Sequence, residues 1–213
     1  MIKNIVFDMG GVLLEFDVRK AVGRFFDTPE EAARYASSVM GSFEWREFDR
    51  GCFTRRKMVD AINARLPEKY RGILEELCIK QIYAEKEMPQ YEEMYDLVRE
   101  LSEKGYRLLL LSNAGYDFEF YSKKKSVLNY IPERFVSCYY HLLKPEPEMY
   151  RRFFREYSLE PGECVFIDDV EENVRGSIAC GMPAIRFSPG FAPVSQLRRE
   201  LAEMGVDISL QEA

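Results

Sequence analysis

The stretch Ile5-Val6-Phe7-Asp8-Met9-Gly10-Gly11 runs three apolar residues, without alternation, into a lone carboxylate and then into two glycines. A strand with one solvated face alternates apolar and polar residues, whereas a strand covered on both faces reads as a continuous apolar run. The stretch therefore predicts a buried strand of a parallel sheet, with Asp8 held where the strand stops.

The same signature recurs at Leu108 to Leu111, Val136 to Tyr140, Val165 to Ile167 and Ala184 to Phe187. Helical patterns separate these runs. Pro89 to Lys104 places Tyr91, Met94, Tyr95, Val98 and Leu101 on one stripe and stops at Gly105. A second helix is expected from about Pro145, with Met149, Phe153 and Tyr157 one turn apart. A third follows Asp169, with Val174 and Ile178 inward and Gly181 past its end. A fourth aligns Val194, Leu197, Leu201 and Met204 before Gly205. Strand and helix in alternation predict an α/β fold, a doubly wound parallel sheet.

One segment departs from the alternation. Residues 17–87 carry only helical signals, among them a stripe of Val18, Ala21, Val22 and Phe25 and a capping box, Thr28-Pro29-Glu30-Glu31, with proline at the first helical position. Further helices are expected after Thr54 and near Tyr70. The simplest organisation is an α/β core built from residues 1–16 and 88–213, with a helical insertion over residues 17–87.

Composition removes several classes of function. The 213 residues carry a net charge of -6 with dispersed cations, which leaves no footprint for a nucleic-acid backbone. No apolar run reaches the roughly 20 residues of a bilayer helix, and the amino terminus enters a short apolar run instead of a signal peptide, so a cytoplasmic protein is expected. The 5 cysteines have neither disulfide-framework nor zinc spacing. With His141 as the only histidine and no G-x-S-x-G elbow, a serine triad has little to build on. No dinucleotide or P-loop glycine motif occurs. Chemistry is left to carboxylates, hydroxyls, lysine or a metal.

Ligands of open α/β sheets bind beyond the carboxyl ends of the strands. Those ends deliver Asp8, then Ser112-Asn113, then Lys144 after the third strand, then Asp168-Asp169. Each has a plain reading as a turn former, helix cap or solvated lysine. Together they are what phosphoryl transfer requires. A carboxylate attacks an anionic phosphate only when cations neutralise both, as Lys144 and Mg2+ would. Mg2+ takes hard oxygen ligands and keeps several waters, so Asp8, Asp169 and the Gly10 carbonyl would suffice. Ser112 would donate to a phosphate oxygen, joined by backbone amides around Asn113 and Gly11.

Phe7-Asp8-Met9-Gly10-Gly11-Val12-Leu13, Leu111-Ser112-Asn113, Lys144-Pro145 and Phe166-Ile167-Asp168-Asp169 resemble the four ordered motifs of the haloacid dehalogenase-like hydrolase superfamily. The resemblance implies a Rossmann-like core whose helical insertion is a cap that closes over the site. It also implies an aspartyl-phosphate mechanism with Mg2+, in which Asp8 is the nucleophile and Ser112 and Lys144 hold phosphate. Asp169 would bind the metal, Asp168 would act from behind it, and Asn173 would orient the site.

The sequence departs from the usual phosphatase pattern at Gly10, where most such phosphatases carry the aspartate that protonates the leaving alcohol. Three readings follow. One is a phosphatase for small phosphorylated substrates whose leaving group needs little protonation, such as a sugar 1-phosphate. The start resembles that of a small bacterial branch of α-glucose 1-phosphate phosphatases, a similarity that extends to Asp49-Arg50-Gly51. The second is a metal-independent haloacid dehalogenase-type hydrolase, and the third is a non-catalytic binding module. Within the insertion, Trp45, Arg46 and Arg50 are the candidates for facing substrate, an aromatic to stack and two arginines to fork. Tyr116-Asp117 is a further candidate for lining the cleft.

Overall fold

The computed structural model describes residues 1–80 and 88–210. Five parallel strands form one sheet: β1 (Asn4–Phe7), β2 (Arg107–Ser112), β3 (Glu133–Val136), β4 (Cys164–Asp168) and β5 (Ala184–Arg186). Their order is β3-β2-β1-β4-β5, so β1 is central and the winding reverses between β1 and β4. Phe7 stands level with Leu110 on one side and Ile167 on the other. The ends of β1, β2 and β4 therefore meet at one edge.

The pleat divides each apolar run between two cores. Ile5, Phe7, Leu108, Leu110, Val165 and Ile167 face one side, where they pack with Met94, Leu97, Val98 and Leu101 and with Leu197 and Leu201. These last belong to the helices Glu92–Glu103 and Val194–Glu203. Val6, Leu109, Leu111, Phe135 and Phe166 face the other, against Met149, Tyr150 and Phe153 of the helix Pro147–Tyr157. Burial on both faces is why the runs do not alternate.

Two expectations change. The third strand is Glu133–Val136, and Ser137–Tyr140 is a single helical turn, so the apolar run was placed one element too late. β3 lies at the edge of the sheet, where polar residues are tolerated. Glu133 pairs with Arg107 at 2.6 Å, and Arg134 donates to the Ile131 and Leu128 carbonyls. Tyr140 instead turns back to stack on Phe135, with centroids 3.8 Å apart. The second change is Ile178, which is exposed; its helix, Glu171–Ala179, turns Asn173, Val174 and Ser177 inward. Ser177 Oγ donates to the Met182 carbonyl and Asn173 serves the site below, so hydrogen bonds set that face.

Between β1 and β2, the regular structure among the described residues of the insertion is helical: α1 (Val18–Val22), α2 (Pro29–Met40), α3 (Phe43–Asp49), α4 (Arg55–Arg65), 3-10 turns at Gly23–Phe25 and Glu68–Tyr70, and a π-helical turn at Glu75–Lys80. Residues 81–87, expected to complete it, lie outside the described residues. Thr28 Oγ1 accepts from the Glu31 amide, and Ser42 and Thr54 cap α3 and α4 in the same way. The insertion has its own apolar cluster, including Val22, Tyr35, Val39, Met58, Val59 and Ile62. Among the described residues, no helix is long and apolar enough to cross a membrane.

The end of α3 rests directly on the sheet domain. Ser137 Oγ donates to the Asp49 carbonyl at 2.6 Å, and Arg50 pairs with Glu146, also at 2.6 Å. Gly51 has φ +78, and a Cβ there would overlap the Cys138 carbonyl. Both the backbone angle and the contact demand glycine. Gly51→Ala is expected to destabilise the protein by about 1–3 kcal/mol, read as a lower melting temperature, whereas Gly72→Ala, with no neighbour in reach, is expected to lose only the backbone part.

Candidate active site

Asp8 follows β1, Ser112 ends β2, and Asp168 ends β4, all three buried. Asp8 stays in register with β4 because its amide donates to the Ile167 carbonyl at 2.8 Å. The site thus straddles the point where the strand order reverses, between β1 and β4.

Lys144 supplies the charge that holds these residues together. Its buried ammonium donates to Asp168 Oδ2 at 2.6 Å and lies 2.9 Å from Asp8 Oδ1. Asp168 is saturated: it also accepts from the Val170 amide at 2.8 Å and from Asn173 Nδ2 at 3.1 Å to each oxygen. Asn113 clamps the lysine from behind, its Nδ2 donating to the Lys144 carbonyl at 3.0 Å and its Oδ1 accepting from the Lys144 amide at 2.9 Å. The Asn113 side chain is thereby committed to placing Lys144.

Asp169 completes an acidic group in which Asp8, Asp168 and Asp169 each present an oxygen within 4.8 Å of the others. Burial pushes the Asp8 carboxyl up to about 6, with Lys144 opposing and Asp168 adding to the rise. Burial, then the charges of Asp8 and Asp168, push Asp169 up to about 7. Burial works against the Lys144 ammonium, yet Asp168 and Asp8 outweigh it and raise its pKa. One ammonium is too little cation for three carboxylates. Asp8 Oδ1 is buried, and the Lys144 ammonium at 2.9 Å, itself shared with Asp168, is what faces it. A crowded set of hard oxygens sharing a single ammonium fits a divalent cation.

Gly11 makes that crowding possible. With φ +80, a Cβ there would stand 2.5 Å from Asp169 Oδ2. Its amide, expected to serve phosphate, is spent on the Leu14 carbonyl at 2.8 Å. The reason is local: the loop after β1 folds back on itself, and its own carbonyl claims the donor.

Above the carboxylates lies a cavity of about 260 Å³. Asp8, Gly10, Ser112, Lys144 and Asp169 line its floor. The helical insertion contributes Met40, Trp45, Phe48, Asp49, Arg55 and Met58. Trp45, a candidate for facing substrate, is among the residues lining the cavity. Arg46 and Arg50 are not among the residues lining the cavity: Arg46 is exposed, and Arg50 is held by Glu146 and Glu47 beside the Gly51 turn. Arg55 is the insertion's arginine in the cavity, tied to Asp117 through Nε at 2.6 Å and to the Cys78 carbonyl. Asp117 lines the wall, while exposed Tyr116 packs on Tyr139. Arg55 and Met58 escaped the sequence reading, and Asp49 entered it only within the resemblance of Asp49-Arg50-Gly51, with no role of its own. The acidic residue that closes α3 just before the Gly51 turn was the available signal for Asp49.

The shifted carboxyls have a measurable consequence. Asp8 titrates near 6 in the fold against 3.8 ordinarily, so the cation-free native protein holds a proton that the unfolded chain has released. Stability from this group is present at low pH and is lost as pH rises through about 6. In EDTA, Asp8→Asn is therefore expected to raise the melting temperature relative to wild type by a margin that grows between about pH 4 and about pH 6 and levels off above it. A margin independent of pH would contradict this electrostatic picture.

Comparisons with known proteins show the family and the fold. Residues 2–181 match the model of the haloacid dehalogenase-like hydrolase family. The chain is 23% identical over 211 residues to flavin mononucleotide hydrolase 1 of Arabidopsis thaliana, covering 97% of this chain and 79% of that protein. It is 27% identical over 193 residues to D-ribitol-5-phosphate phosphatase of Bacteroides thetaiotaomicron, covering 82% and 86%. A solved haloacid dehalogenase family enzyme from B. thetaiotaomicron, in complex with magnesium and inorganic phosphate, superposes with a TM-score of 0.70 at 20% identity, covering 93% of this chain and all of that one. The chain belongs to the haloacid dehalogenase-like hydrolase family, and it is a hydrolase.

Proposed function

We propose that this hydrolase is a Mg2+-dependent phosphatase that acts on small phosphate monoesters through an aspartyl-phosphate on Asp8. The observation that carries the reading is the carboxylate set around Lys144: Asp8, Asp168 and Asp169 converge within 4.8 Å, and Asp8 and Asp168 share one ammonium. A carbon-halogen hydrolase that works without metal has no use for this excess of buried negative charge. The two curated relatives named above are a flavin mononucleotide hydrolase and a ribitol-5-phosphate phosphatase, which supports a phosphorylated substrate.

In this reading Asp8, Asp169 and the Gly10 carbonyl hold Mg2+, which when bound neutralises phosphate charge. Asp168 holds the Lys144 ammonium against Asp8, so that the cation meets an entering phosphate without a search. Ser112, at the cavity floor, donates its hydroxyl to a non-bridging phosphate oxygen. Asp8 attacks phosphorus in line, and water later releases inorganic phosphate. The segment of residues 17–87 acts as the cap, and residues 1–16 and 88–213 as the catalytic core. Five free cysteines fit a reducing, cytoplasmic setting.

The cavity speaks to the leaving group. Phe16, Met40, Trp45, Phe48, Met58 and Met88 give it largely apolar walls, and the arginine that reaches it, Arg55, is occupied by Asp117. Such walls favour an aromatic or aliphatic alcohol over a bare sugar. With Mg2+, phosphates of aromatic alcohols are expected to show a kcat/KM at least about tenfold above sugar 1-phosphates, a gap of ~1.4 kcal/mol. EDTA should abolish turnover of both, and Asp8→Asn should lower it by several orders of magnitude. Halide release from haloacids in EDTA, with phosphates untouched, would overturn the reading.

A further inference from the structure

We propose that Asp49, on the last turn of α3, is the acid and base of the reaction, standing in for the carboxylate that Gly10 cannot provide. The inference rests on the phosphatase reading above and adds a catalytic residue from the helical insertion.

Geometry gives the first argument. In-line displacement puts the leaving oxygen on the far side of phosphorus from Asp8, and so away from the cavity floor and toward the insertion. Asp49 belongs to that side. It lines the same cavity as Asp8, Ser112 and Lys144 and is partly exposed. Its backbone is fixed to the core, because Ser137 Oγ donates to its carbonyl at 2.6 Å and the adjacent Arg50 is bound to Glu146. A proton donor on a cap works only if the cap holds it in register, and these contacts supply the register.

Electrostatics gives the second. Burial pushes the Asp49 carboxyl up to about 7; the hydrogen bond from Trp45 opposes that, and the charges of Asp8 and Asp117 add to it. The Tyr121 and Cys138 side chains also feel its charge, and Asp117 is bound by the Arg55 guanidinium. A carboxyl that divides its time between both forms near neutrality suits an acid in one step and a base in the next.

The alternatives along this wall fit less well. Both Asp117 oxygens are engaged by Arg55. The Tyr121 phenol is raised far above its ordinary range by burial, so it does not recover a proton from water easily. Asp49 has only one hydrogen bond from Trp45 among the causes that act on its carboxyl.

The two half-reactions then balance. Asp8 forms a bond to phosphorus while the bond to the leaving oxygen breaks. The electron pair goes to that oxygen, which takes the Asp49 proton and departs as the alcohol. Water then attacks phosphorus and gives its proton to the Asp49 carboxylate. The bond to Asp8 breaks with its electron pair returning to the carboxylate, and inorganic phosphate leaves.

Asp49→Asn separates this role from a structural one, because the amide oxygen still accepts the Trp45 hydrogen bond while the titrating proton is gone. With Mg2+, an alkyl phosphate should lose roughly 100- to 10,000-fold in kcat. With p-nitrophenyl phosphate, whose leaving group needs no acid, the variant should release a burst of nitrophenol equal to the enzyme present and then slow, since only the hydrolytic half is impaired. Rates within a few-fold of wild type on both substrates, or equal losses on both without a burst, would overturn the assignment. If wild-type protein turns over neither ester while Asp49→Asn and Asp8→Asn remain folded, the phosphatase reading falls and Asp49's role with it.

Discussion

The structure of the site depends on one buried ammonium. Lys144 is almost wholly removed from water and survives there charged because Asp168 meets it at 2.6 Å and Asp8 lies 2.9 Å away. Taking such ions out of water costs several kcal/mol each unless the geometry repays it. Nearly everything around the lysine serves that repayment. Asn113 pins its main chain on both sides, Asn173 and the Val170 amide fill the remaining positions on Asp168, and the strand register sets Asp8 and Asp168 side by side. Asp168 is thus an anchor whose own valences are filled, while Asp8 and Asp169 keep oxygens to offer.

That asymmetry divides labour between the two parts of the chain. The sheet edge supplies a fixed set of charges suited to phosphate and a hard cation, and it is indifferent to what the phosphate is attached to. The insertion supplies methionines and aromatics above it, and with them Asp49. The α3 end is held by the Ser137 hydroxyl on the Asp49 carbonyl and by the Arg50–Glu146 pair, so in the proposed reaction specificity and proton transfer would depend on the same seam. Gly51 sits in that seam because no side chain fits between it and Cys138.

Much of this was legible in the sequence, for physical reasons that also mark the limits. β1, β2 and β4 are central strands buried on both faces, so their apolar runs are unambiguous and their ends locate Asp8, Ser112 and Asp168. β3 is an edge strand that begins with Glu133 and Arg134, and the apolar residues after it belong to a turn stacked against it, which hid the boundary. Ile178 misled because hydrogen bonding by Asn173 and Ser177, not apolarity, decides the inward face of that helix. The insertion's helices could be read from caps such as Thr28, but not which of its charges face the cavity. Arg50 and Arg55 look alike in sequence, and only their tertiary partners, Glu146 for one and Asp117 for the other, distinguish them. The Gly11 amide was equally out of reach, because its partner is the carbonyl of Leu14 in the same loop.

The central claim is that Asp8 becomes covalently phosphorylated. The most direct measurement is acid quenching of the enzyme during turnover of a phosphate ester labelled on phosphorus, followed by peptide mapping of the label. Acid-stable, alkali-labile label is expected on the peptide that carries Asp8, and none on Asp8→Asn. Turnover without labelled protein, or label on any other residue, would contradict it.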